Sequence, residues 1–204
     1  MRLIIQQDKL RFNYKYNIYI SGNLLYTATV NRTIVPKFRK ITITDLNGQE
    51  VCILKQEDKI KFILSYVPII GWFDYSSCPY NIYINGIKQG IIKENRWGKN
   101  IDSSIECEIH NDKYYIHSHT GEEYSIFLND KQEGLIAHDH WKIGDGDRYE
   151  VLYNSKLKPE FATAICILID ILWGTSDTST TSISYQYTWI IGGRKKDKNW
   201  RPED

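Results

Sequence analysis

The chain has 204 residues, 42% of them hydrophobic and 13% aromatic, which is enough to bury one sizeable core. Its 26 Lys and Arg stand against 25 Asp and Glu, so no excess of one sign points to nucleic acid or to an acidic partner. Cys52, Cys78, Cys107 and Cys166 form no Cys-x-x-Cys pair and are expected to be reduced thiols of a cytoplasmic protein, not a disulfide framework.

The N-terminus, MRLIIQQDKLRF, has too short an apolar run and too many polar residues for a signal peptide, which agrees with a cytoplasmic chain. From residue 1 to 155 the pattern is one of short strands and turns. Tyr14–Val30 alternates and breaks at Ser21-Gly22-Asn23. Ile41–Leu54 has the same shape around Asn47-Gly48, a hairpin signal because both residue types tolerate positive φ. Tyr80–Ile92 repeats it around Asn85-Gly86, and Tyr124–Ala137 around Asn129-Asp130. Their irregular spacing predicts a meander of related hairpins, not a solenoid or propeller. Ser65–Pro79 interrupts the pattern with prolines, a glycine and aromatics, and reads as a long loop or irregular crossing in which Trp72 and Phe73 pack over a barrel end or touch a partner or a membrane surface.

Two His-x-His pairs, His117/His119 and His138/His140, have a metal-chelating spacing, because residues i and i+2 of a strand share a face. Solvent-facing strand histidines are the plainer account. No phosphate loop, dinucleotide fingerprint or Gly-x-Ser-x-Gly occurs, and Glu122-Glu123 alternate faces and form no acid/base couple.

Pro159–Trp173, PEFATAICILIDILW, is the sharpest feature. Proline suits a first helical turn and Gly174 a stop. Fifteen residues reach ~22 Å, short of the ~30 Å of bilayer hydrocarbon, so the segment is predicted to be a core helix sheathed by strands. Its polar positions, Glu160, Thr163 and Asp170, form one narrow stripe. Asp170 lies near the helix C-terminus, where a carboxylate opposes the macrodipole; a structural hydrogen bond to backbone or an arginine is expected. A Ser/Thr-rich linker follows, then a strand-like Ser184–Ile191, and a basic tail, 192–204, that is expected to be mobile.

Several of these segments resemble one superfamily. IIQQDKLRFNYKYNIYISGNLLYTATV followed by RKITITDLNGQEVCILKQ resembles the opening of tubby-like proteins of the LURP-one-related group, with Asp45, Gly48 and Lys55 at its turn, turn glycine and basic position. DGDRYEVLY (Asp145–Tyr153) is similar to the acidic-aromatic strand of the phospholipid scramblase branch, and CILIDIL (Cys166–Leu172) to its terminal helix. The resemblance implies a mainly β, closed antiparallel barrel of about twelve strands around a central hydrophobic C-terminal helix, one domain over residues 1–191. It also implies phosphoinositide headgroup binding by basic residues on the barrel, for which Arg32, Lys37, Arg39 and Lys40 are the candidates; several cations can clamp a polyphosphate. The scramblase branch implies calcium near Asp145 and Asp147, but the third acidic position carries Asn154, Ser155 and Lys156, and calcium disfavours an adjacent ammonium. The cysteine cluster and proline-rich leader of scramblases are missing too.

The expectation is therefore a non-enzymatic cytoplasmic binding module for an anionic membrane lipid such as a phosphoinositide, a nucleotide-like anion or a protein partner. Peripheral membrane contact is expected, with no cofactor, no catalytic residue and no nucleic acid. The alternatives are a metal-dependent enzyme using the His-x-His pairs and a scramblase-like membrane protein.

Overall fold

A computed structural model describes residues 1–8, 14–31, 38–60, 78–95, 104–119, 122–139, 146–173, 195–197 and 199–203. Ser184–Ile191, Trp72 and Phe73 lie outside these described residues. Twelve strands follow one another: β1 (Arg2–Asp8), β2 (Tyr14–Ile20), β3 (Asn23–Val30), β4 (Lys40–Thr44), β5 (Glu50–Gln56), β6 (Tyr80–Ile84), β7 (Ile87–Asn95), β8 (Ser104–Ile109), β9 (Asp112–His119), β10 (Glu123–Leu128), β11 (Lys131–His138) and β12 (Arg148–Tyr153). Helix α1 (Pro159–Trp173) comes last. Each strand pairs antiparallel with its sequence neighbours, and β1 closes on β12, with Leu3 opposite Val151 and Ile5 opposite Tyr149. The result is the closed barrel that the family resemblance implies.

The turns set this order. Ser21-Gly22 and Asn85-Gly86 each take positive φ at both residues, the twist that matches two antiparallel strands. Gly48 closes the β4–β5 turn at φ 80°, and the Asp45 carboxylate accepts the N–H groups of Asn47 and Gln49. A hairpin without glycine, β8–β9, turns at His110 (φ 53°); the residues there, Ile-His-Asn-Asp, carry no strong turn signal. Strand order then places the β2–β3, β4–β5, β6–β7, β8–β9 and β10–β11 turns at one rim, called the turn rim below. The other connections leave from the opposite rim.

Inward positions alternate with outward ones, and the inward set (Leu3, Ile18, Ile43, Ile82, Ile116, Val151 among others) is fully buried. Because β12 ends at the turn rim, α1 starts there and threads the lumen toward the opposite rim. From Phe161 to Ile169 no residue is more than 3% exposed, so strands and not lipid sheathe the helix. Among the described residues no helix is long and apolar enough to cross a membrane. All four cysteines are free and buried, and burial pushes the Cys52 thiol up to about 12.

Outside the barrel, residues of the C-terminal tail lie along β10 and β11. Lys196 pairs with Glu123 at 2.5 Å, the Trp200 indole donates to the Gln132 carbonyl at 2.9 Å, and Lys131 meets Glu203 at 2.7 Å. The outward Gln132 is buried there, its side-chain oxygen accepting the Asp197 N–H at 3.2 Å. Nothing in the alternation of the tail announces this docking.

Two substitutions test the packing. A Cβ at Gly90 would stand 2.1 Å from the Glu108 carbonyl oxygen on β8, so Gly90→Ala should cost about 1–3 kcal/mol. Ile167→Ala, which empties space between helix and strands, should cost about 2–5 kcal/mol. Urea unfolding followed by circular dichroism measures both; a change below about 0.5 kcal/mol in either would contradict the close packing described.

Candidate functional site

At the rim opposite the turns the helix is tied to the barrel seam. Asp170, 4% exposed, accepts hydrogen bonds from the Tyr16 hydroxyl (2.5 Å) and Gln7 amide (3.2 Å) on Oδ2, and from the Tyr149 hydroxyl (2.5 Å) on Oδ1. Desolvation raises the Asp170 pKa, against the lowering effect of the two tyrosine hydroxyls. The partners are not backbone or arginine, as expected from sequence, but three side chains from β1, β2 and β12. They converge only because β1 and β12 meet. A carboxylate so enclosed joins elements and has no opening toward a substrate.

Beside this group, His138 stacks on the Tyr149 ring at 4.7 Å. Its Nδ1 contacts the Glu122 carboxylate and its Nε2 lies 3.4 Å from Asp147 Oδ1. Hydrogen bonding to Asp147, opposed by burial and reinforced by Glu122, raises the His138 pKa to about 9, so the ring is an imidazolium at neutral pH. His119 shares a hydrogen bond of 2.9 Å with Ser125, and the His117 ring meets Phe127 edge-on at 5.8 Å; His140 lies outside the described residues. Among the described residues no group of three His, Cys, Asp or Glu could hold a metal ion. Of the calcium-type carboxylates, Asp147 faces His138 and Asp145 lies outside the described residues.

The predicted basic run is only partly described. Arg32 and Lys37 fall outside the described residues. Arg39 and Lys40 lie where β4 begins, at the rim opposite the turns. Both have partners within the chain: the Arg39 guanidinium bonds the Tyr80 hydroxyl, and Lys40 Nζ lies 3.3 Å from Glu50.

A cleft of about 460 Å³ opens at the turn rim, between the β6–β7 and β8–β9 turns and the chain entering α1. Ile84, Ile109, Tyr114 and Phe161 give it apolar walls, with the Tyr114 and Phe161 rings 5.1 Å apart. Lys156 and Lys158 stand at its edge against one carboxylate, Asp112. Their placement follows from the segment between β12 and α1. The Asn154 side chain donates to buried Glu133 at 2.7 Å, the Leu157 N–H bonds the Asn154 carbonyl, and Leu157 is buried, so the lysines on either side of it face outward. Lys156 Nζ stays 4.0 Å from Glu133. Sequence reasoning missed this cleft because its walls come from three separated segments. The only local signal was a buried leucine between two lysines directly before Pro159.

The His138 cluster gives a defined pH dependence. Its folded pKa of about 9 lies above the ordinary value of ~6.5, so its stabilisation is complete below ~6.5 and is lost as pH rises through about 9. Allowing for screening of the partly exposed carboxylates, unfolding free energy should fall by about 1–2 kcal/mol over that window. Urea titrations at each pH should show this slope in the parent and its disappearance in His138→Gln; an equal slope in both would assign it elsewhere.

The comparisons with known proteins agree with this architecture. No curated protein and no solved structure matches the chain. The family model described as LURP-one-related matches residues 1–170, which runs from the first strand through the barrel to Asp170 in the central helix. The chain belongs to the LURP-one-related family, whose fold context is the tubby-like superfamily.

Proposed function

We propose that this protein is a non-enzymatic binding module whose ligand, an anionic group carried on an apolar body such as a membrane lipid, enters the cleft at the turn rim. The observation that supports this reading is the cleft itself. Its volume, about 460 Å³, is in the range of small-molecule sites, and it joins apolar walls to two lysines and one carboxylate. Lys158, and Lys156 whose ion pair with Glu133 is long at 4.0 Å, face one lining carboxylate, Asp112, a balance that favours a ligand of negative charge. An ammonium is a compact point charge suited to phosphate or carboxylate, while the tyrosine and phenylalanine rings suit methylene groups.

Binding is favoured over catalysis because the strongly perturbed groups are engaged elsewhere. Asp170 is sealed inside the barrel, and His138 is held between carboxylates at the other end. Arg39 and Lys40 are engaged with Tyr80 and Glu50, which makes the cleft the better candidate for the anion.

Dodecyl phosphate below its micelle concentration is a suitable probe, titrated by calorimetry. Saturable binding to the parent is expected, with roughly tenfold or greater weakening in Lys156→Glu/Lys158→Glu and little change in Lys37→Ala/Arg39→Ala. Loss of binding in the second variant alone would move the site to the basic run, and no saturable binding to the parent would overturn the reading.

A further inference from the structure

Single exposed hydrophobic residues are ordinary on protein surfaces; their arrangement is what carries meaning. Among the described residues five large hydrophobics are exposed: Met1, Leu24, Leu46, Ile60 and Ile87. Four of them stand at the turn rim and follow one another around it. Met1 precedes β1 and its ammonium donates to the Tyr153 carbonyl at the end of β12. Leu24 follows the β2–β3 turn, Leu46 lies in the β4–β5 turn at 64% exposure, and Ile87 follows the β6–β7 turn at 65%. Ile60 alone lies beyond β5, toward the other rim.

From this arrangement we infer that the turn rim is a membrane-docking surface, with its apolar tips in the lipid and the cleft presented to the headgroups. The inference rests on the amphiphilic-anion reading of the cleft. Successive hairpins are two strands apart, so the tips are spaced by about 10 Å along an arc that ends at Ile87, itself a wall of the cleft. Tips separated by polar turn residues (Ser21, Asn47, Asn85) make a poor protein interface, which needs a contiguous packed core. A fluid lipid surface accepts separated side chains. The tight turns also hold the tips in place, so little ordering is required on contact.

The charges at this rim fit the same partner. Lys156 and Lys158 flank the cleft mouth. Of the nearby carboxylates, Asp45 is turned back into its own turn by two backbone N–H groups. Asp112 remains in the cleft wall and Glu133 lies 4.0 Å from Lys156 Nζ, so the preference for anionic lipid should be moderate, not steep.

Co-sedimentation with phosphatidylcholine vesicles, with and without phosphatidylserine, tests the inference, with dodecyl phosphate binding measured in parallel. Leu24→Ser/Leu46→Ser, neither of which lines the cleft, should reduce vesicle partitioning roughly tenfold or more while leaving dodecyl phosphate affinity unchanged. Ile60→Ser should partition like the parent. A Leu46→Trp reporter should shift to the blue on vesicles and be quenched by bromine-labelled lipid. Partitioning unaffected by the Leu24/Leu46 pair, or an unquenched reporter, would overturn the docking surface. So would a concentration-dependent dimer, abolished by the same pair, in a protein that ignores vesicles. Binding of dodecyl phosphate without vesicle binding would sink this inference and leave the cleft's function standing; vesicle binding that depends on the rim without dodecyl phosphate binding would do the reverse.

Discussion

Everything in this molecule depends on filling the lumen. A barrel of about eight strands is closed by its own inward side chains, whereas sixteen or more leave a water channel. Twelve strands fall between, and their inward isoleucines, leucines and tyrosines would line an unfilled tube without a plug. Helix α1 is that plug. A helix is about 10 Å wide with its side chains, and this one is apolar on almost every side because it meets strands on almost every side. The dependence is mutual. Outside the barrel, eight of the nine residues from Phe161 to Ile169 would put apolar side chains into water; without them, the twelve strands would enclose a void.

Threading a helix through a barrel gives the protein a direction. The helix must enter where β12 leaves off, so the turn rim carries the entry segment, the cleft and the lysines that precede Pro159. It must end at the other rim, and there its one charged interior residue is held. Asp170 at that end bonds to Tyr16, Gln7 and Tyr149, residues of β2, β1 and β12. The first and last strands are the pair that sequence neighbourhood does not bring together. A carboxylate shared among them therefore couples helix docking to barrel closure. Desolvation works against the carboxylate, and the two tyrosine hydroxyls offset part of that cost.

What could be read from sequence divides along the same line. Local chemistry was legible: Asn-Gly and Ser-Gly turns marked hairpins, and the apolar run marked α1 to the residue. The β8–β9 hairpin was not, because His110 supplies its positive φ without glycine. The expected barrel came from resemblance, since no local pattern states that β1 will meet β12. The candidate sites suffered most. The cleft is assembled from turn residues near positions 85 and 110 and the entry segment near 157, a juxtaposition that only closure creates. In the other direction, the His-x-His spacing was real, but His138 found carboxylates and His119 found a serine. Shared strand face is necessary for chelation, and neighbouring strands decide what the ring meets.

A filled lumen also decides where recognition can occur. Barrels that carry ligands inside keep an open cavity at their centre. Here the centre is occupied by Ile165, Ile167, Leu168 and their neighbours, packed without exposure, so a ligand has only the outer wall and the two rims. Part of the outer wall, on β10 and β11, is covered by Lys196, Asp197 and Trp200. At the far rim the helix end is locked by Asp170 and flanked by the His138 ion cluster. The turn rim differs from both: the helix starts there slightly inside the ring of turns, and the gap between Phe161 and the two neighbouring hairpins is the cleft. The same geometry that buries the helix thus places a site between its entry segment and two hairpin turns, with Phe161 in its wall.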